Sequence, residues 1–243
     1  MGYHSCGQSW RVFIFSCILL TSPFQLASCN KETKGEEGKV TLSLYYETLC
    51  PYCANFIVHE LVKVFETDLI SIVNLRLVPW GNAQISNNSF VCQHGPDECI
   101  LNMVDACAIN VWPDPKIHFK FIYCVEHLHL EDKHNEWQSC FEKTGLSSEP
   151  IRNCFEKQLE VRLELQYADE TAQLDPPHAY VPWVLVNDQP LQGDYQNFVA
   201  YICRAYKGEV IPKACNTELS TASSEVANPK FNNPNVCHYK GLF

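Results

Sequence analysis

The chain has 243 residues, of which 46% are hydrophobic, and a formal net charge of −10 at pH 7. This length and apolar content predict a globular protein with a buried core, arranged as one domain with a large insertion or as two small domains. A negative charge of this size argues against nucleic acid as a partner.

The first 28 residues are predicted to be a secretory signal peptide. Arg11 precedes an almost wholly apolar run, Val12 to Leu20, and the small residues Ala27 and Ser28 follow. The run is far shorter than the roughly 20 residues that span a bilayer. No later segment is long and apolar enough to be a membrane anchor, so we expect an unanchored protein of the secretory pathway.

The mature N-terminus is predicted to be a flexible leader. Residues 29–39 are charged and show no apolar periodicity. A lipidated Cys29 is the alternative, because Leu26 to Cys29 also resembles a bacterial lipoprotein signal. Asn87, in Asn87-Asn88-Ser89, is a predicted N-glycosylation site and favours a eukaryotic secretory route instead.

The first regular elements predict a parallel α/β unit. Val40 to Tyr46 is a strand candidate, and Pro51 to Asp68 carries apolar residues at helical spacing. Val73 to Trp80 alternates as a second strand. A strand, a helix and a strand of these lengths predict a parallel pair joined by a right-handed crossover.

A helical insertion is predicted at about residues 84–174. Ile100 to Val111, Lys116 to His129 and Pro150 to Leu174 each have apolar residues at spacings of three and four. In this secreted context we expect the six cysteines of the insertion to bond mainly among themselves. They are Cys92, Cys99, Cys107, Cys124, Cys140 and Cys154.

A hairpin and a closing helix are predicted after the insertion. Tyr180 to Val186 is a strand candidate, followed by a turn, a short strand to Leu191 and a helix from Asp194 to Tyr206. We expect Cys203, within this helix, to pair with Cys215. The whole order predicts an α/β chain with a thioredoxin-like fold and a disulfide-rich helical insertion, covering residues 40–215.

The Cys-x-x-Cys of Cys50 and Cys53 lies directly between the first strand and the first helix. This is the arrangement in which thioredoxin-like redox proteins build their active site. A thiolate attacks disulfides, and a helix N-terminus stabilises a thiolate. We therefore predict that Cys50 is the nucleophile and that Cys53 resolves the mixed disulfide formed on it.

Two other interpretations of this pair remain open. It could be a purely structural disulfide, or it could be half of a zinc site completed by Cys92 and His94. A second Cys-x-x-Cys or a His-x-x-x-His is missing from the sequence, so we expect neither a metal nor a cofactor.

The cysteine count predicts an unpaired thiol. Of 14 cysteines, eleven remain when Cys6, Cys17 and Cys29 at the N-terminus are removed, and nine when Cys50 and Cys53 are also set aside. Because nine is odd, at least one thiol is free or pairs between chains. We assign it to Cys237, in a polar tail of residues 216–243 that is predicted to be disordered or processed, and a disulfide-linked dimer through Cys237 would follow.

Pro182 is expected to open the third strand of the core, because proline is tolerated at a strand start. Thioredoxin-like proteins have a cis-proline at this place. By that analogy we expect Val181-Pro182 to be cis and the backbone of Val181 to position an extended substrate.

One segment resembles the signature of the gamma-interferon-inducible lysosomal thiol reductase (GILT) family at every specified position. That signature is Cys-Gln-His-Gly-x-x-Glu-Cys-x-x-Asn-x-x-x-x-Cys, and the resemblance extends to the segments around Cys50, Trp80 and Pro182. It implies a thioredoxin-like enzyme that reduces protein disulfides, usually at acidic pH, with Cys50 and Cys53 as the redox pair. The signature residues are Cys92, Gln93, His94, Gly95, Glu98, Cys99, Asn102 and Cys107.

We interpret these signature residues as structural, stapling and turning the insertion. The alternative is that His94 approaches Cys50 and assists proton transfer.

The predicted function is reduction of protein disulfides, with disulfide-bonded proteins and an external thiol reductant as partners. The expected location is a lysosome, a vacuole or the outside of the cell. A secretory-pathway oxidase or isomerase would use the same two cysteines, and a stapled binding module with a vestigial redox pair is an alternative of another class.

Overall fold

The structure is a computed structural model that describes residues 38–216 and 235–238. The predicted signal peptide and most of the predicted leader lie outside these residues. The strands are β1 (Val40–Tyr46), β2 (Val73–Pro79), β3 (Gln84–Ser86), β4 (Ser89–Val91), β5 (Tyr180–Val181), β6 (Trp183–Val186), β7 (Gln189–Pro190) and β8 (Cys237–His238). The α-helices are α1 (Pro51–Asn55), α2 (Lys63–Glu66), α3 (Pro96–Val111), α4 (Pro115–Leu130), α5 (Ser139–Thr144), α6 (Glu149–Glu156), α7 (Leu159–Ala172) and α8 (Phe198–Ala205). A π-helical segment (Phe56–Leu61) joins α1 to α2, and the 3-10 segments are Asp68–Ser71, His134–Glu136 and Gln192–Asn197.

A four-stranded sheet in the order β2-β1-β6-β7 forms the centre of the fold. The first strand pairs in parallel with β2 and antiparallel with β6, so that Leu44 lies between Leu77 and Val184. The parallel pairing requires a crossover connection, which the helical segment from Pro51 to Glu66 provides. Because β1 is an inner strand, the chain that follows it leaves the sheet between β2 and β6, at the carboxyl end of β1.

Both faces of β1 are buried, since successive side chains of a strand point to opposite faces. Leu42 and Leu44 pack in a cluster with Phe198 of α8, whereas Tyr45 packs in a second cluster with Trp183 and with Val104 of the insertion. Full burial of a leucine side chain contributes about 1.5 to 3 kcal/mol. The insertion therefore shares the core of the sheet.

Disulfides hold the inserted helices together. The six cysteines of the insertion bond among themselves, and Cys203 bonds to Cys215, as predicted. The three bonds of the insertion are Cys92–Cys99, Cys107–Cys154 and Cys124–Cys140. Among the residues that the structure describes, none of the helices combines the length and the apolar content needed to cross a membrane.

The long helix predicted from Pro150 to Leu174 is broken in two. Gln158 adopts a left-handed backbone conformation, with φ of 52°, between α6 and α7. The disulfide of Cys154 ties α6 to α3, and α7 also packs against α3. The chain therefore turns at Gln158, and the two shorter helices pack separately against α3.

The strand predicted from Tyr180 to Val186 is also interrupted. Proline has no N–H to donate, and Pro182 separates β5 from β6. As a result β6 stays in the main sheet, whereas β5 pairs antiparallel with β8. The prediction of a disordered tail is wrong for residues 235–238, because hydrogen bonding to β5 orders them. The remaining tail residues after 216 lie outside the described part of the chain.

The disulfides predict a graded loss of stability. Chain entropy lost on cross-linking grows with loop length, so closing the 47-residue separation of Cys107–Cys154 should contribute about 4 kcal/mol, and the 12-residue separation of Cys203–Cys215 about 3 kcal/mol. We expect C107A/C154A to lower the free energy of unfolding more than C203A/C215A does, in urea titrations without reductant. The reverse order would contradict the entropic account.

Candidate active site

Cys50 lies at the end of the loop that follows β1 and is the N-cap residue of α1. Pro51 takes the first helical position, where its missing N–H costs nothing because that group would have no partner in the helix. The carbonyl of Cys50 accepts the first helical hydrogen bond from Ala54 N, at 3.0 Å. Cys50 and Cys53 are both fully buried.

Cys50 is bonded to Cys237 of the tail, 187 residues away, and Cys53 is a free thiol. The assignment of Cys237 as free or intermolecular is therefore wrong for this chain. The count from the sequence set Cys50 and Cys53 aside as a pair, which left Cys237 without a partner. Because the tail returns to the active site, Cys53 is the unpaired thiol among the cysteines that the structure describes.

The Cys53 thiol is held in its neutral form. Burial raises the pKa of Cys53 well above its ordinary value, and the neighbouring carboxyl of Glu47 raises that pKa further. An attack by Cys53 on a disulfide of Cys50 therefore requires a group that takes up its proton.

Glu47 is a titratable group beside the sulfurs of the site, and reasoning from the sequence assigned it no role. It is fully buried at the end of β1, and its carboxylate oxygen lies within 4.8 Å of the sulfurs of Cys50 and Cys237. Burial, and then the nearby Glu98, raise the pKa of Glu47 to about 8. An acidic residue three positions before Cys50, directly after an apolar strand, is the signal that could have found it.

The position of Glu47 depends on a glycine. The Asn82 N–H donates to Glu47 Oε2 at 2.7 Å, which requires the turn after β2 to approach the carboxylate closely. Gly81 in that turn has φ of +58°, and a Cβ there would lie 2.6 Å from Glu47 Cβ and Oε2. Only glycine fits this position.

His94 connects the insertion to the sulfurs. Its Nδ1 lies 2.7 Å from Glu98 Oε2 and 3.6 Å from Glu47 Oε1, and its Nε2 lies 3.9 Å from the sulfur of Cys237. His94 thus contacts the sulfur bonded to Cys50, which favours the proton-transfer alternative over a purely structural interpretation.

The other signature residues divide between the site and its support. Gln93 donates from Nε2 to the carbonyl of His238 at 3.1 Å and so contacts the tail. Asn102 Oδ1 accepts from the backbone N–H and the hydroxyl of Thr48, both at 2.9 Å, and fixes the loop before Cys50. Gly95, with φ of +93°, begins α3. The remaining three signature residues are disulfide cysteines that lie outside the sulfur site: Cys92, Cys99 and Cys107.

The peptide bond between Val181 and Pro182 is cis, as expected by analogy. Val181 is buried and lies opposite Cys237 in the β5–β8 pair. The structure thus brings Val181 next to the residue that is bonded to Cys50. Asn87 lies apart from the site, in the exposed turn between β3 and β4, and its glycosylation stays a prediction.

The zinc site considered from sequence is wrong, because Cys92 is bonded to Cys99 and cannot be a ligand together with His94. Within the described residues, one oxygen each of Glu47 and Glu98 and one ring nitrogen of His94 lie within 4.8 Å of one another. This set could hold a divalent cation, but the short contact between His94 and Glu98 already pairs its members.

Comparisons with known proteins agree with this geometry. Residues 41–144 match the family model described as gamma interferon inducible lysosomal thiol reductase (GILT). The chain is 43% identical over 219 residues to the gamma-interferon-responsive lysosomal thiol protein of Arabidopsis thaliana, covering 88% of this chain and 89% of that protein. It is 38% identical over 184 residues to the gamma-interferon-inducible lysosomal thiol reductase of Mus musculus, covering 73% and 72%.

Solved structures confirm the fold class. The reduced DsbA of Mycobacterium tuberculosis superposes with a TM-score of 0.52 at 16% identity, covering 75% of this chain and 89% of that one. The oxidised BdbD of Bacillus subtilis gives 0.51 at 17% identity, covering 71% and 90%. At these identities the likeness shows the thioredoxin-like fold alone.

The buried carboxyls predict that stability falls as pH rises. Burial raises the pKa of Glu47 to about 8 and that of Asp105 to about 7, whereas an unfolded glutamate or aspartate titrates near 4. The folded state therefore binds more protons, and this stabilisation is fully present below about pH 4 and is lost as pH rises through 7 and 8. For Glu47 the loss between pH 6.5 and 8 is about 1 to 2 kcal/mol.

Glu47→Gln should flatten this dependence in urea unfolding at pH 6.5 and 8. The same substitution at the exposed Glu142 is the matched control and should leave the slope unchanged. Three histidines whose pKa is lowered by burial act in the opposite direction, but below about pH 6.5, outside the window; they are His118, His129 and His178. An undiminished slope in Glu47→Gln would contradict the assignment.

Proposed function

Because the chain belongs to the gamma-interferon-inducible lysosomal thiol reductase (GILT) family, we propose that it reduces disulfides of proteins in an acidic compartment of the secretory pathway. The chain is a thiol:disulfide oxidoreductase, as its relatives are. In our proposal Cys50 is the attacking thiol and Cys53 the resolving thiol. The observation that carries these roles is that Cys50 is already bonded to a cysteine of another segment, with Cys53 free one helical turn away.

The reaction proceeds by two exchanges. The Cys50 thiolate attacks a substrate disulfide, so that a mixed disulfide forms and the other substrate sulfur leaves and takes a proton. Cys53 then attacks the Cys50 sulfur, which forms the Cys50–Cys53 disulfide and releases the second substrate thiol. Two electrons from an external thiol reductant, which is itself oxidised to a disulfide, restore both cysteines.

Glu47 and His94 serve the proton transfers in this scheme. The Glu47 carboxyl lies within 4.8 Å of the Cys50 sulfur, and in its protonated form it gives a proton to the thiolate that leaves this sulfur while it takes up the proton of Cys53, whose pKa burial raises. His94 lies 3.9 Å from the sulfur that occupies the leaving position in this structure. Leaving thiolates can therefore be protonated without bulk water.

Two buried acidic residues support the proposal that the protein is active at low pH. Glu47 and Asp105, with pKa values raised to about 8 and about 7, are neutral in an acidic compartment, and Asp105 accepts a hydrogen bond from the buried Tyr46 hydroxyl at 2.7 Å. Burial of an ionised carboxylate is costly, so such an interior is more stable where these groups are protonated.

The decisive experiment is reduction of a denatured, disulfide-bonded test protein across pH, with the prereduced enzyme and a small monothiol. We expect reduction at pH 5 at least as fast as at pH 7, and only the uncatalysed rate for Cys50→Ser. Activity that survives in Cys50→Ser would leave a binding module as the better interpretation. A measured reduction potential near −120 mV, rather than about −270 mV, would favour an oxidase.

The resolving role of Cys53 predicts a difference in trapping. Cys53→Ser should accumulate substrate as a mixed disulfide on Cys50, because the internal release step is lost. Cys50→Ser should accumulate none under the same conditions. Non-reducing gel electrophoresis after acid quenching measures the trapped fraction, and equal trapping by both variants would show that the roles are shared or exchanged.

A further inference from the structure

The tail crosses the active site as an extended peptide strand. Cys237 and His238 pair antiparallel with Val181 and Tyr180, directly before the cis-proline, and Cys237 is bonded to Cys50. This is the strand pairing expected of a substrate held by the backbone of Val181. The tail thus presents a cysteine to the nucleophile in the geometry of a reaction intermediate.

Three side chains from separate parts of the fold hold the main chain of this segment. Tyr195 donates to the carbonyl of Asn235 at 2.8 Å and Asn82 to that of Cys237 at 3.1 Å, while Gln93 donates to that of His238 at 3.1 Å. Every peptide carries such carbonyls, so these donors recognise an extended backbone whatever its side chains. All three bonds end on main-chain carbonyls of the tail, so none of them depends on a side chain of the tail.

The groove buries the side chain of Val236 and can therefore select for the residue at this position. Val236, directly before Cys237, is 5% exposed and packs in the cluster of β1 and α8. Asn235 and His238 on either side are exposed. Burial of a valine is worth about 1.5 to 3 kcal/mol, so the groove favours an apolar residue before the cysteine.

Open clefts continue the groove at both ends of the segment. One is lined by Tyr52, His59 and Tyr195 beside Asn235, and the other by Tyr180 and Trp183 beside Val236 and His238. A peptide longer than the four described tail residues therefore has room on each side.

We propose that residues 235–238 are an intramolecular substrate mimic, which closes the active site through the Cys50–Cys237 disulfide. The groove they occupy is the site for substrate segments of the same kind: extended strands with an apolar residue before the cysteine. This proposal rests on the proposed function, since it takes Cys50 as the attacking thiol. It adds a substrate class and an inhibited state, and it makes Asn82, Gln93 and Tyr195 positioning residues for the peptide.

Opening of the closed form is an exchange that conserves electrons. Cys53 attacks the Cys50 sulfur, the Cys50–Cys53 bond forms, the Cys50–Cys237 bond breaks, and the proton of Cys53 is transferred to the sulfur of Cys237. The carboxyl of Glu47, within 4.8 Å of both bonded sulfurs, and His94 Nε2, 3.9 Å from Cys237, are placed to carry that proton. An external thiol then reduces the Cys50–Cys53 disulfide, and a substrate can enter the vacated groove.

The tether makes the mimic effective. The tail belongs to the same chain, and tethered ligands reach effective concentrations on the order of mM. A reductant or substrate supplied at about 0.1 mM should therefore compete about tenfold less well for Cys50 when the tail is present.

The first test compares wild type with Cys237→Ser, each purified without reductant and assayed on a disulfide-bonded test protein with about 0.1 mM monothiol. We expect a longer lag and an about tenfold lower initial rate for wild type than for Cys237→Ser, in which only a Cys50–Cys53 disulfide has to be reduced, given the effective concentration of a tether. After full prereduction and immediate assay, the two proteins should start at similar rates. Equal lags and equal initial rates of the two unreduced proteins would overturn the proposal.

A second measurement uses wild type alone, so it does not depend on the folding of a variant. Alkylation of free thiols, proteolysis and mass spectrometry without reduction should yield the peptide pair linked through Cys50 and Cys237, with Cys53 alkylated after denaturation. A Cys50–Cys53 link, with Cys237 alkylated or joined to a second chain, would overturn the closed form. If neither protein reduces any disulfide, the proposed function fails; if both do so equally and no Cys50–Cys237 link is found, the mimic alone fails.

The groove is tested with a synthetic peptide of residues 233–240, presented as its disulfide-linked dimer to prereduced Cys237→Ser enzyme. Gln93→Ala should raise KM for this peptide several-fold with little change in kcat, and should change the reduction of hydroxyethyl disulfide, which has no main-chain carbonyls, several-fold less. A peptide with serine in place of the valine should also have a higher KM. Equal effects of Gln93→Ala on the peptide and on hydroxyethyl disulfide would contradict a positioning role.

Discussion

The buried carboxyl of Glu47 joins the parts of the active site. It directly follows β1, it accepts a hydrogen bond from the backbone N–H of Asn82 after β2, and its Oε1 lies 3.6 Å from Nδ1 of His94 in the insertion. Burial makes the ionised form of Glu47 costly and raises the pKa of its carboxyl to about 8. The turn at Gly81, the signature segment and the redox cysteines must all fit around this one group.

The insertion supplies chemistry as well as stability. Its disulfides fix the helices, and the first of them, Cys92–Cys99, brackets the two residues that contact the tail, Gln93 and His94. A short closed loop of this kind limits the freedom of the side chains within it. The thioredoxin-like sheet therefore provides the redox cysteines, and the insertion provides a wall of the groove that residues 235–238 occupy.

The state of the cysteines follows from where the tail lies. Within one chain Cys237 reaches Cys50, so its thiol is not available for a dimer in this state, and Cys53 is left as a neutral buried thiol. The neutral thiol of Cys53 lies beside the intact Cys50–Cys237 disulfide. This thiol can attack the disulfide only when another group accepts its proton. In the proposed reaction, the buried carboxyl of Glu47 and the imidazole of His94 link the redox state of the site to the protonation of its surroundings.

The sequence by itself determined the elements whose signals are local. The strand at Val40–Tyr46 and the Cys-x-x-Cys at a helix start depend on neighbouring residues, and so does the tendency of inserted cysteines to pair nearby. Tertiary structure decided what depends on distant segments. The break at Gln158 follows from the packing of two helices on α3, the role of Glu47 from contacts across β2, and the partner of Cys50 from a tail strand 187 residues away, since pairing between remote segments depends on their meeting in space and leaves no periodicity in the chain.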